Sequence, residues 1–231
     1  MHKHNNKKKT SWRATARSLG VTVFVVLLFR AFVAEAYVIP SGSMEPSLLV
    51  GDRLVVAKAS WGVRVPFTDS WLLRWGQPER GQVVLFSDPR GAGDTLIKRV
   101  AAVGGDRVSM REGRLRVNGV ALPRSALPGP CEAELGSGDR VPCRRYREEN
   151  GEQRYQVQRI PTRPAADGWE ITVPPGHFFA MGDNRDDSSD SRFFGPVSCE
   201  RLRGRALMIL WSWASGEGPR WSRMGRLIHG D

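Results

Sequence analysis

One apolar run near the start of this 231-residue chain limits its architecture more than any other feature. Val21 to Phe29 is uncharged and almost wholly aliphatic or aromatic, and between Leu19 and Ala36 only Arg30 and Glu35 carry charge. A spanning helix needs about 20 residues. The run therefore qualifies only if Arg30 snorkels toward an interface. Before it, Lys3, Lys7, Lys8, Lys9, Arg13 and Arg17 stand with no acid, and they supply more than half of the formal net charge of +11. Basic flanks stay cytoplasmic. The expected order is a basic cytoplasmic tail over 1–18, one N-terminal transmembrane helix over 19–36, and an extracytoplasmic domain over 37–231. Two other readings of the run stay open: a cleavable leader ending at Ala34-Glu35-Ala36, and a buried helix.

A sequence pI of about 10.4 usually points to nucleic acid or an anionic membrane surface. Here the charge is gathered beside the apolar run, and no nucleic-acid motif occurs. The expected partner is the lipid bilayer, with no nucleic acid. Cys131, Cys143 and Cys199 form no Cys-x-x-Cys pair, and His2, His4, His177 and His229 form no cluster. Neither a metal nor a cofactor is expected.

Beyond Pro46 the pattern is that of strands. Residues 52–58, 81–86 and 95–103 are short and rich in β-branched side chains. Arg107 to Val120 alternates and holds Glu112-Gly113 and Asn118-Gly119, which predicts a hairpin followed by a further turn. Residues 176–181 and 205–211 read as strands too. No long amphipathic helical period follows the apolar run, so the outer domain is expected to be mainly β. From about 122 to 175, Pro, Gly and charged residues dominate, and this stretch reads as an inserted β-ribbon or subdomain. In an oxidising exterior its Cys131 and Cys143 make a disulfide candidate; the alternative is two free thiols.

Three stretches carry chemistry. Pro40-Ser41-Gly42-Ser43-Met44-Glu45-Pro46 places two serines on a proline-framed turn just after the apolar run. It is either a juxtamembrane linker or a nucleophile turn. A serine nucleophile needs a base, and neither His177 nor His229 sits in a motif. Lys98 lies within a strand and shares its face with Leu96 and Val100; burial of that face lowers the amine pKa and makes it a base. The third stretch, Met181 to Pro196, holds Asp183, Asp186, Asp187 and Asp190. Their spacing is not that of an EF-hand. An Asp190–Arg192 ion pair is expected to pin this loop, with Ser188 hydrogen-bonded to the buried amine.

Together, Ser41-Gly42-Ser43-Met44-x-Pro46, Gly51-Asp52, Ile97-Lys98-Arg99 with Gly104-Gly105-Asp106, and Gly182-Asp183-Asn184-Arg185-x-x-Ser188-x-Asp190-Ser191-Arg192 resemble the successive boxes of bacterial type I signal peptidase. The resemblance covers about 20–110 and 170–228 and is loose in the insertion. Many Gram-negative relatives have two membrane segments where this chain has one clear one. The resemblance implies an all-β serine endopeptidase in the bacterial plasma (inner) membrane that removes signal peptides from exported preproteins. In it Ser43 is the nucleophile, Lys98 the general base, Ser41 an oxyanion donor, Ser188 the orienting hydroxyl, and Asp190 with Arg192 the loop clamp. The apolar Ile39, Pro40, Met44, Leu96 and Ile97 are expected to line shallow substrate pockets that admit small side chains at positions −1 and −3. Trp211, Trp213 and Trp221, with Arg220, Arg223 and Arg226, suit a membrane interface, although Trp211 reads better as a core residue. Two competing readings are a specialised maturation protease for one secretion or conjugation system, and a non-catalytic, membrane-anchored β interaction domain.

Overall fold

A computed structural model describes residues 7–32, 34–65, 70–91, 93–135, 138–163, 167–214, 216 and 218–228. His2, His4 and His229 lie outside the described residues.

A 26-residue helix, Lys7–Phe32, opens the chain. It begins inside the basic tail, twelve positions ahead of the expected start, and gives way to a strand at Ala34–Val38. Ala34, Glu35 and Ala36 thus belong to the sheet rather than to the helix. Among the described residues, no helix is long and apolar enough to cross a membrane. The cause lies in the sequence: Lys7, Lys8, Lys9, Arg13 and Arg17 fill the first half, and Arg30 interrupts the second.

Everything after the helix is mainly β. The principal sheet is antiparallel, in the order Ala34–Val38, Asp52–Ala57, Leu202–Ala214, Val83–Ser87, Thr95–Val103, His177–Met181 and Val197–Ser198. The strand at Val83–Ser87 shows why its sequence is apolar throughout. Side chains alternate between faces, and both faces are covered. Val83 and Leu85 join a cluster with Ile39, Met44, Leu48 and Ile209, whereas Val84 and Phe86 join one with Trp61, Phe178 and Leu202. Phe86 and Phe178 meet edge to face, 5.4 Å between centroids, a geometry aromatic pairs prefer.

A second sheet holds Trp169–Thr172, Arg107–Arg111, Arg114–Val117 and Val120–Ala121. Its two turns follow the sequence closely. Glu112 and Gly113 have φ of 52° and 64°, and Asn118 and Gly119 have 54° and 82°. Positive φ at both central residues is what a type I′ hairpin turn requires.

The stretch 122–175 contains a three-stranded sheet, Arg124–Leu127, Arg144–Asn150 and Gln153–Arg159, and a small hairpin, Glu132–Glu134 with Arg140–Pro142. Cys131 and Cys143 are disulfide-bonded across the base of that hairpin, Cα atoms 5.0 Å apart. Cys199 is free and buried. The last part of the stretch, Trp169–Thr172, pairs back onto Arg107–Arg111 and so belongs with the second sheet.

Candidate active site

The serine turn is a single turn of 3₁₀ helix, Gly42–Met44. It sits where the edge strand Ala34–Val38 ends, and its Met44 is driven into the core by burial. The turn is held from the opposite side by the Gly182–Arg185 loop. Asn184 donates its backbone N–H to the Ser43 carbonyl (3.2 Å) and its side-chain amide to the Gly42 carbonyl (3.2 Å).

Lys98 reaches this turn from Thr95–Val103, the long strand next to His177–Met181 in the sheet. Strand alternation places it between Leu96 and Val100, both packed on the apolar cluster around Phe86. Lys98 as a whole is 4% exposed. Its amine lies 2.6 Å from Ser43 Oγ and 3.0 Å from the Ile97 carbonyl. Burial lowers its pKa from the ordinary 10.5 to about 8, aided by the Arg192 and Arg90 charges and opposed by Asp190 and Asp183. A neutral amine at hydrogen-bond distance from a hydroxyl accepts that hydroxyl's proton. Ser41 Oγ stands 3.5 Å from Ser43 Oγ on the exposed side.

Asp190 accepts both Arg192 Nε (2.8 Å) and Nη2 (2.7 Å), together with the Gly182 backbone N–H (2.9 Å). The other acids of this loop also face arginines: Asp183 meets Arg99, Asp186 meets Arg159, and Asp187 meets Arg163. Ser188 departs from expectation. Its hydroxyl is buried without a hydrogen-bond partner, and the second bond of Lys98 goes to its own strand. Ser188 packs on Gly182, where a Cβ would come within 2.2 Å of the hydroxyl oxygen. The loop path, rather than the sequence spacing, aims this side chain.

The pair opens into a groove of about 1020 Å³. Pro40 and Leu96 line it. Ile39, Met44 and Ile97, expected beside them, are buried in the core beneath the serine turn. They fix the floor rather than face the opening, because strand and turn alternation sends them inward. His177 is remote from this chemistry; its Nδ1 donates to the Pro175 carbonyl, 3.1 Å away.

Several residues near the site escaped the sequence reading. Arg99, next to Lys98, forms a buried two-pronged pair with Asp183 and lies 3.9 Å from the Tyr155 ring centroid. Arg185 makes another such pair with Glu148, a residue of the insertion. Gln158, also from the insertion, exchanges backbone bonds with Asp183 and Arg185. The one usable signal was the position of Arg99 in an apolar strand, where a charge needs a partner. Near the C-terminus, Trp211 is 37% exposed and meets Trp221 edge to face, so it is not a core residue. Arg223 turns inward and binds the buried Asp52, while Arg220 donates to the Val50 carbonyl.

A mainly β domain with a buried lysine against a serine hydroxyl, both in an open groove, has the parts of a serine hydrolase. Comparison with known proteins agrees: the family described as signal peptidase, peptidase S26, matches residues 12–211. The chain is 36% identical to signal peptidase I of Pseudomonas fluorescens over 226 residues, covering 90% of this chain and 77% of that protein. It is 36% identical to that of Pseudomonas aeruginosa over 228 residues, covering 92% and 78%. It is 32% identical to that of Aquifex aeolicus over 222 residues, covering 84% and 82%. The chain belongs to the signal peptidase family, peptidase S26, and is a hydrolase of that family.

Proposed function

We propose that this protein removes N-terminal signal peptides from exported preproteins, with Ser43 as nucleophile and Lys98 as general base. The observation that carries the reading is the 2.6 Å contact between Lys98 Nζ and Ser43 Oγ, with the amine buried. Ser43 Oγ attacks the scissile carbonyl carbon while its proton passes to Lys98. The developing oxyanion is met by the Ser43 backbone N–H and the Ser41 hydroxyl. Lys98 then protonates the leaving amine, and an ester to Ser43 remains. Lys98 next takes a proton from the water that attacks that ester, then gives it to the departing Ser43 Oγ, which frees the signal peptide and restores the pair. Asp190 and Arg192 hold the loop that backs the pair. Pro40 and Leu96 border the part of the groove that takes the small residues at −1 and −3.

The same reading places the enzyme at the bacterial plasma membrane, single-pass, with its N-terminus cytoplasmic and residues after about 37 outside. Leu19, Val21, Val23, Phe24 and Val26 are exposed along the helix and follow a basic tail, which suits lipid contact. Exposed Trp211, Trp213 and Trp221 suit the interface.

Purified protein in detergent, incubated with a preprotein, tests the reading. Wild type is expected to release the mature chain, and Ser43→Ala to release none while its circular dichroism is unchanged. Cleavage by Ser43→Ala at the wild-type rate would overturn it.

A further inference from the structure

We propose that the disulfide-closed hairpin of Glu132–Glu134 and Arg140–Pro142 is a wall of the substrate groove that grips the polypeptide on the mature side of the cut. This rests on the function proposed above and deepens it. None of the motifs that define the catalytic stretches includes this hairpin. Its residues nevertheless line the groove that holds Ser43 and Lys98: Glu132, Glu134, Leu135 and Arg140 all border the same opening. The wall is continuous with the site.

The hairpin is also built to hold a position. Two strands of three residues are too short to be stable alone. Here Ala133 is completely buried, which seats the first strand on the domain. The covalent link between Cys131 and Cys143 ties both ends, reinforced by a Cys143 N–H bond to the Cys131 carbonyl (2.9 Å). What the hairpin offers the groove is mainly polar: Glu132, Glu134 and Arg140 are exposed, and Leu135 is its one apolar, half-buried contribution. Such a wall suits the polar start of a mature chain. It does not suit an apolar signal peptide, whose small side chains fall to the apolar border at Pro40 and Leu96. A strand held at a groove edge gives an extended peptide backbone something to lie along.

Two peptide substrates with the same signal segment separate this role from a structural one. One ends just past the scissile bond. The other continues for about ten residues, roughly 35 Å extended. In Cys131→Ser/Cys143→Ser, KM for the long substrate is expected to rise about tenfold with kcat unchanged, the scale of one or two lost backbone hydrogen bonds. KM for the short substrate should not move. Glu134→Ala and Arg140→Ala, on the exposed face, guard against a folding defect and should show the same length dependence. Equal changes for both substrates, or no change for either, would overturn the proposal. Cleavage of both peptides by wild type, and its loss in Ser43→Ala, tests the proposed function separately.

Discussion

At Lys98 burial acts against the carboxylates. Asp190 and Asp183 draw a proton toward the amine, but desolvation is the larger effect and leaves the pKa at about 8. Holding the value that far below 10.5 disfavours the charged form by about 3 kcal/mol. The base form therefore fills as pH rises through about 8, and kcat/KM is expected to rise across that range and then level off. Lys98→Arg keeps the charge but never yields a free electron pair, so it should be as inactive as Lys98→Ala. A pH–rate profile flat from 6 to 9, or an active Lys98→Arg, would show that the lysine is structural. The same shift has a consequence for stability. Between about 8 and 10.5 the unfolded chain binds the proton that the folded chain has lost, so this group's penalty shrinks as pH rises through that window and persists in full below it.

The elements were legible where their signals are local. Thr95–Val103 has the limits its β-branched run predicts, and the two positive-φ turns lie at Glu112-Gly113 and Asn118-Gly119. The 205–211 strand is longer, Leu202–Ala214, and it kinks at three irregularities in pairing. Gly204 explains part of the missed length. A Cβ there would lie 2.6 Å from Val56, so the glycine marks a close approach of strands rather than a strand end. In the candidate site, Ser43 beside Lys98 was legible only through the resemblance to the signal peptidase boxes, and Asp190 with Arg192 from proximity in sequence. Glu148 was not, because its partner Arg185 is 37 positions away and the insertion has no periodicity that points inward. This pair fastens the three-stranded sheet of the insertion to the loop that carries Asn184. Glu148→Gln leaves a buried guanidinium without its counter-charge, a change that costs about 3–5 kcal/mol. Urea unfolding should show that loss, together with a lower kcat from a loosened serine turn. A variant within about 0.5 kcal/mol of wild type, the range of ordinary surface changes, would mean that the pair is not buried in solution.

On the scale of the whole molecule, the helix and the principal sheet follow each other closely in the chain. Phe32 ends the helix and Ala34 begins the edge strand. The join bears on whether the protein would cut itself at Ala34-Glu35-Ala36, which has the small-x-small pattern of a cleavage site. Three physical facts oppose it. Ala36 is paired with Val55, and the whole strand Ala34–Val38 is in register with Asp52–Ala57, so cutting there would first strip an edge strand from the sheet. Glu35 is further tied to Lys58 by a 3.4 Å ion pair. Ala36 also lies seven residues before Ser43 in the chain. Fully extended, that link spans roughly 25 Å, and to present the Ala36 carbonyl to Ser43 it would have to fold back through the groove it borders. The N-terminal helix is therefore expected to remain on the mature enzyme. N-terminal sequencing of protein extracted from membranes checks this directly: the sequence should begin upstream of Leu19, and a chain starting at Tyr37 would show that the segment is a leader and that the edge strand is completed some other way.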